Sequence, residues 1–221
     1  MIKAFNFFKR KPGLSVEEFR SYRLNEHAAI IRKIPELRKY IASITLPSAY
    51  RNREPLYDGI SEAWFDDESA LRNNADSAPR RVASADDANF VDMSKAGSII
   101  VDEIIQKEGA SGPDAAKVFS LLTRKPGTDV KAFQQYWREH HGPLAAKIPQ
   151  ARRYVQCHVR QSAYADGSAP RYDGVAEVWF DNFQAVRDSG DTDEYRAVRL
   201  DEPKFLAIPF PFIIASEHRI V

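Results

Sequence analysis

The sequence predicts an α+β protein in which two ferredoxin-like βαββαβ repeats form one barrel within a single chain. Three observations predict it: the chain is internally duplicated, each copy reads β-α-β-β-α-β, and a lone sheet with helices on one face would leave its other face bare. Lys3–Gly13 (KAFNFFKRKPG) recurs as Lys117–Gly127 (KVFSLLTRKPG), and an offset of 114 holds as far as Ile41 and Val155, with 15 of 39 positions identical. One inserted residue near Ser168 and Ala169 moves the offset to 115. There Pro55–Asp66 matches Pro170–Asp181, Phe90 pairs with Phe205, and Asp102 pairs with Glu217. The junction Lys107–Asp114 (KEGASGPD) has a linker composition. The repeats are therefore expected at 1–107 and 115–221.

Each element follows in order. An apolar first strand (Ile2–Lys9; Val118–Thr123) ends at Lys-Pro-Gly, where Pro and Gly stop pairing and turn the chain. Ser15 and Asp129 occupy helix N-cap positions, and Phe19, Tyr22 and Ile30 (Phe133, Tyr136 and Leu144) follow at helical spacing. Ile-Pro closes that stretch at Pro35 and Pro149. The second strand is expected at Tyr40–Leu46 and Tyr154–Arg160, the third at Gly59–Phe65 and Gly174–Phe180. Weaker helical patterns lead to a last strand at Ser98–Ile105 and Phe212–Val221.

Composition bounds the function. With 43% hydrophobic and 29% charged residues in 221, the chain reads as an ordinary soluble globular protein. Lys+Arg of 32 against Asp+Glu of 31 argues against nucleic-acid and polybasic membrane partners. One cysteine, Cys157, excludes an internal disulfide and a Cys-rich zinc site. The longest apolar run, Phe205–Ala215, is too short for a bilayer and is broken by Pro209 and Pro211. The opening residues lack a secretory pattern. The expectation is a cytoplasmic protein with a small-molecule substrate, a pseudo-dimer within one chain that leaves a further homodimer open.

Strand alternation predicts which side chains share a face. In the second strand of repeat two, Val155, Cys157 and Val159 form the apolar set, expected toward the helices. Tyr154, Gln156, His158 and Arg160 are then expected toward the space between the two sheets, as are Tyr40, Ala42, Ile44 and Leu46 in repeat one. In the third strands Glu62 and Trp64 (Glu177 and Trp179) take that side, while Ala63 and Phe65 (Val178 and Phe180) meet the helices. Such a polar, aromatic set suits a chamber for a small molecule. Pairing across the barrel, such as Arg160 with Glu177, is the alternative for the charges.

Tyr136–Leu144 (YWREHHGPL), Ile148-Pro149, Arg153-Tyr154 and Tyr172–Asp181 (YDGVAEVWFD) resemble the EthD family, of the dimeric α+β barrel superfamily. The resemblance covers nearly the whole chain, once per repeat. Repeat one departs from it where Asn25–Ala29 (NEHAA) replaces Glu139–Pro143 (EHHGP), leaving His27 aligned with His141. The family implies no single reaction: its relatives include decarboxylases and dehydratases of polyketide pathways, and the wider superfamily holds isomerases, cyclases and cofactor-free monooxygenases.

A histidine beside a polar chamber can exchange protons near working pH. His141 is the expected acid/base, with His140 assisting, His158 as a cavity-facing candidate and His27 as the counterpart in repeat one. Burial with backbone partners is the alternative for His141, repeat one is a second site of altered use or only the wall that closes the barrel, and His218 is expected at the surface. Tyr136, Tyr154 and Tyr172, with Tyr22 and Tyr40 in repeat one, could donate to a carbonyl or enolate oxygen. Trp137, Trp179 and Trp64 could stack on an aromatic ring, and Arg160 and Glu177 could bind substrate. Packing is the alternative for all of these. Asp58 and Asp173, before Gly, are read as turn devices, and Cys157 is not expected to act as a nucleophile.

No His-x-x-x-His, Cys-x-x-Cys, phosphate loop or nucleophile elbow occurs in the sequence. No metal or cofactor is therefore expected. A site assembled from His141, His158 and Glu217, or haem on His158 or His141, is kept only as a remote alternative. The expected function is cofactor-independent acid/base chemistry, an isomerisation, elimination or decarboxylation of a small aromatic, lactone or polyketide-like compound. Two alternatives stand beside it: a cofactor-free monooxygenase acting on an electron-rich phenol, and a non-catalytic small-molecule binder serving an oxidising system.

Overall fold

The computed structural model describes residues 1–165 and 167–221. In repeat one, β1 (Ile2–Phe8) leads through the Lys-Pro-Gly turn into α1 (Val16–Tyr22). Gly13 takes φ 93° and Gly127 φ 82°, left-handed values that an L side chain rarely adopts. Ser15 caps α1, with Glu18 returning a bond to the Ser15 backbone N–H. The helix then widens into a five-residue π-helix, Arg23–His27, and resumes as α2 (Ala28–Ile31). β2 (Lys39–Thr45), β3 (Gly59–Phe65), α3 (Glu68–Ala75), α4 (Ala78–Phe90) and β4 (Gly97–Lys107) follow.

Repeat two reproduces each step. It runs β5 (Ala116–Leu122), α5 (Val130–Tyr136) capped by Asp129, a π-helix over Trp137–His141, and α6 (Gly142–Ala145). It continues through β6 (Ala151–Val159), β7 (Gly174–Phe180), α7 (Phe183–Ser189), α8 (Asp193–Asp201) and β8 (Phe212–Arg219). The β-α-β-β-α-β order holds in both copies. The eight strands are hydrogen-bonded in the order β1-β3-β2-β8-β5-β7-β6-β4 and close as an antiparallel barrel, the expected α+β class. Among the described residues, no helix is long and apolar enough to cross a membrane.

Two compact units are present, Met1–Ile100 with Glu217–Val221, and Val101–Ser216. In the first, β1 and β2 flank β3, and the chain end pairs with β2 through Ile220 N–H to Tyr40 O (2.9 Å). Its core joins Phe8, Phe19, Ile44 and Phe90 to a second cluster around Ile31, Tyr40, Ala63 and Phe65. In the second unit β5 and β6 flank β7, β4 from Val101 onward pairs with β6, and β8 up to Ala215 pairs with β5. Its core is built on Phe133, Trp137, Tyr154, Phe180 and Phe205.

The facing of the second strands is the reverse of the sequence expectation. Tyr154, Gln156 and His158 lie toward the helices: Tyr154 packs with Phe133 and Phe205, Gln156 bonds the Trp137 carbonyl, and His158 stacks on Trp137. Tyr40, Ala42 and Ile44 do the same in the first unit. Cys157 lies instead on the face of Glu177, its Sγ 3.3 Å from the carboxylate. The register explains this, because Val155 opposes Glu177 and Gln156 opposes Ala176, and directly opposed residues share a face. Alternation separates the two sets correctly; apolarity fails to orient them because both faces of the strand are buried.

Asp58 and Asp173 act as turn clamps, as expected. The Asp58 carboxylate accepts the Arg10 backbone N–H (2.8 Å), the Arg10 guanidinium and the Tyr50 hydroxyl. Asp173 repeats all three contacts with Arg124 and Tyr164.

Candidate functional site

The helix face of each sheet carries a matched polar cluster. In the second unit, His141 ends the π-helix and its Nδ1 lies 3.0 Å from Asp201 Oδ2, at the end of α8. Tyr136 donates to the other oxygen of Asp201 at 2.8 Å. The His141 ring packs against Phe205 at 4.8 Å. The first unit holds the same arrangement: His27 Nδ1 is 2.8 Å from Asp86 Oδ2, Tyr22 donates to Asp86 Oδ1 at 2.6 Å, and Phe90 lies 4.8 Å from the His27 ring. Both histidines are almost wholly buried.

The π-turn builds this geometry. An α-helix closes each turn with i→i−4 bonds, and a π-turn loosens that ladder, often at functional sites. In the second unit glutamine side chains bond two carbonyls of this turn, one of which, Trp137 O, also accepts the Gly142 N–H. Gln156 Nε2 donates to Trp137 O at 2.8 Å, and Gln106 Nε2 donates to Arg138 O at 3.1 Å. Gly142 admits Gln106, since a Cβ there would come within 2.7 Å of its amide.

Electrostatics give these groups defined states. Burial lowers the His141 pKa, and the hydrogen bond to Asp201 only partly offsets it. His141 is thus neutral at pH 7, with Nδ1–H donated to Asp201 and the Nε2 lone pair left as a base; among the described residues Nε2 has no protein partner. Burial works against the Asp201 charge, but bonds from Tyr136, Lys204 and His141 outweigh it and hold the pKa below its ordinary value. Glu202 is the opposite case, pushed up to about 7 by burial although Arg199 lies 2.5 Å away. Its repeat-one counterpart Asp87 is raised to about 6, also by burial, and stands 3.6 Å from His27 Nε2.

A stability consequence follows for Glu202. Its folded pKa exceeds the unfolded one, so ionisation disfavours the fold increasingly as pH rises from about 4.5 to 7. Glu202→Gln is expected to leave stability unchanged near pH 4 and raise it by about 1–3 kcal/mol at pH 8. Urea unfolding at the two pH values reads this directly, and equal changes at both would contradict it.

The other expected site residues are distributed differently. His140 is exposed, with its ring 5.0 Å from Tyr136, and is not part of the buried His141–Asp201 cluster. His158 is stacked 4.3 Å from Trp137, bonded to Gln156 Oε1 at 3.0 Å, and driven by burial to a pKa of about 3. It is neutral through the physiological range and serves as a fixed hydrogen-bonding ring. Trp137 is fully buried and donates to the Tyr154 hydroxyl at 3.1 Å. Tyr40 is buried and shares a hydrogen bond with Ser61. Tyr172 is buried, and His218 is half-buried rather than at the open surface.

Glu177 and Trp179 lie on the opposite face. Lys117 forms a 2.7 Å ion pair with Glu177 and sits 4.1 Å over the Trp179 ring; Lys3, Glu62 and Trp64 repeat this, with the pair at 2.6 Å. Of the two groups considered for pairing across the barrel, Arg160 reaches Asp102 at 2.7 Å and Glu177 is paired with Lys117. Ligating atoms of Glu103, Cys157 and Glu177 lie within 4.8 Å of one another. The Lys117 ammonium on Glu177 opposes a cation there.

The acidic partners Asp86, Asp87, Asp201 and Glu202 went unnoticed in the sequence. The signal was present: at the offset of 115 that pairs Phe90 with Phe205, Asp86-Asp87 falls on Asp201-Glu202, two acids on two acids within a weak helical pattern.

The family model described as EthD domain matches the chain twice, at residues 11–94 and 125–209. No curated protein matches this chain. Among solved structures, an anthrone oxidase-like protein superposes with a TM-score of 0.67 at 11% identity, over 99% of this chain and 92% of its own. A candidate monooxygenase from Fusobacterium nucleatum gives 0.61 at 10% identity, over 100% of this chain and 92% of its own. Another from Lactobacillus acidophilus gives 0.56 at 11%, over 100% and 94%. At these identities the likeness establishes the fold.

Proposed function

We propose, from the premise that this chain belongs to the EthD family in both of its repeats, that it is an enzyme performing proton-transfer chemistry on a small molecule at the His141–Asp201 cluster of its second unit. The observation that carries this reading is the His141–Asp201 contact of 3.0 Å. A neutral imidazole whose Nδ1–H is held by a carboxylate presents Nε2 as an oriented base, and the carboxylate stabilises the imidazolium that forms. Glu202, raised to about 7, is a nearby group able to hold a proton at neutral pH. Tyr136, on the same Asp201, fixes that carboxylate's position.

The substrate class is a carbonyl compound with an acidic neighbouring C–H, such as a lactone, a small aromatic ketone or a polyketide-like ketone. His141 would take the proton next to the carbonyl and return it elsewhere for isomerisation, or take it while a β-substituent leaves with its bonding pair in elimination; in decarboxylation His141 would take the carboxyl proton, CO₂ would leave as the C–C bond breaks, and the imidazolium would return that proton to the carbanion. His141→Ala is expected to lower turnover by about 10²–10⁴-fold with the fold retained by circular dichroism. Full turnover on an identified substrate would overturn the assignment.

The second reading is oxidation of an electron-rich phenol without a cofactor. It is favoured by the anthrone oxidase-like and monooxygenase-type names of the structural neighbours. The same base would then generate a phenolate for O₂. Oxygen uptake with substrate separates the two, since proton transfer alone consumes none. A ligand that binds and is recovered unchanged would point to the accessory-protein alternative.

A further inference from the structure

The two π-turns close differently, and the difference coincides with one buried amide. In the second unit the Gly142 N–H reaches back five residues to Trp137 O, the first carbonyl of the turn and the π-type bond. In the first unit the equivalent Ala28 N–H bonds Asn25 O, only three residues back. Trp137 O is also the carbonyl that Gln156 Nε2 holds at 2.8 Å. Repeat one has Ala42 at the place of Gln156, with no side-chain donor to offer.

Gln156 is wholly buried, and each of its polar positions is used. Its amide nitrogen donates to Trp137 O and to the Tyr154 hydroxyl, at 2.8 and 3.1 Å. Its Oε1 lies 3.0 Å from His158 Nε2 and accepts from Gln106 Nε2 at 3.3 Å. A primary amide offers two donors and two lone pairs, so this set is complete. The Trp137 carbonyl can only accept, which settles which way round the amide sits. Oε1 then faces His158, whose Nε2 must carry the proton. The His158 ring is held in turn by stacking on Trp137 at 4.3 Å. Repeat one has Ile44 at that place, so the amide and the imidazole that orients it are absent together.

From this brace we infer that Gln156 is a positioning residue for His141, fixing the π-turn through the Trp137 carbonyl so that the imidazole stays on Asp201 while its charge changes. Trp137 opens the turn and His141 ends it, so a carbonyl held at one end sets the ring at the other. A base that gains and loses a proton in each cycle needs a support that does not itself titrate, and an amide does not. The inference rests on the reading of His141 as the base. Every residue of the brace belongs to the second unit.

The test follows the Nδ1–H protons of His141 and His27, each held by a carboxylate, in ¹H–¹⁵N spectra of the full-length protein. Gln156→Met keeps most of the side-chain volume and removes the amide. It is expected to speed exchange of the His141 Nδ1–H with water by roughly tenfold or more, while the His27 proton keeps its rate. Turnover should fall by about 10–100-fold with KM little changed, because Gln156 acts through the turn and touches no substrate. If Gln156→Met fails to fold, Gln156→Ala, the residue that repeat one carries there, takes its place. Unchanged exchange at His141 would overturn the inference, as would faster exchange with turnover intact. Equal acceleration at both histidines would also overturn it, since a merely structural loss loosens the whole fold. The exchange reading needs no substrate, whereas full turnover in His141→Ala would strike the catalytic reading whatever the exchange rates show, so the two failures are distinguishable.

Discussion

Lys117→Met is expected to destabilise the protein by about 3–5 kcal/mol, the usual cost of breaking a buried ion pair from one side. Both side chains are essentially inaccessible, with the ammonium 2.7 Å from Glu177 Oε1 and packed on Phe119 and Trp179. Methionine fills the stem but removes the ammonium that neutralises Glu177. The carboxylate would then have to take up a proton or draw in water, and either costs stability at neutral pH. The double change Lys117→Met with Glu177→Leu should recover most of the loss, since removing both charges also removes their desolvation. Guanidinium unfolding of the parent, the two single variants and the double variant closes that cycle. A loss under 1 kcal/mol for Lys117→Met would mean that the pair contributes register or specificity instead. Because Lys3–Glu62 repeats the pair at 2.6 Å, Lys3→Met serves as an internal replicate.

The elements that were legible in the sequence are those governed by local chemistry. The Lys-Pro-Gly turns, the Ser15 and Asp129 caps and both third strands lie where proline, glycine and capping rules place them. The duplication converted these local signals into a global fold, since two helix-covered sheets must close on something. What escaped depends on distance. His141 was singled out because the repeat gives it a counterpart, His27, whereas Asp201, 60 positions away, lies in a helix with weak periodicity. The π-turns are invisible to a 3.6-residue pattern, because Tyr22 and Tyr136 precede them and the histidines that follow still fall on the buried side. The orientation of β2 and β6 was misread for a related reason: with both faces buried, polarity no longer marks which side is solvent. Tyr154, Gln156 and His158 face the helices, where they bond to one another and to the π-turn.

Asp201→Asn is expected to lower turnover by about 10²–10⁴-fold while leaving the surrounding core packed. The carboxylate does three things that an amide cannot do together: it accepts from His141 Nδ1, accepts from Tyr136, and supplies the charge that favours imidazolium. The variant also has a signature independent of any substrate. Burial already depresses the His141 pKa and Asp201 pulls it part of the way back. Removing the charge should therefore lower that pKa further, moving the imidazole titration to more acidic pH in NMR. Where rate depends on neutral His141, the acidic limb of the pH–rate profile should move with it, so that relative activity holds to lower pH as absolute activity falls. Stability gives an independent reading with the opposite dependence. A buried histidine whose pKa lies below its unfolded value makes the fold less stable as pH drops below about 6.5, and a further decrease steepens that loss. An Asp201→Asn protein whose His141 titration does not move, or moves toward neutral pH, would show that Asp201 does not act on the imidazole through charge. A purely packing change would lower stability without touching the titration.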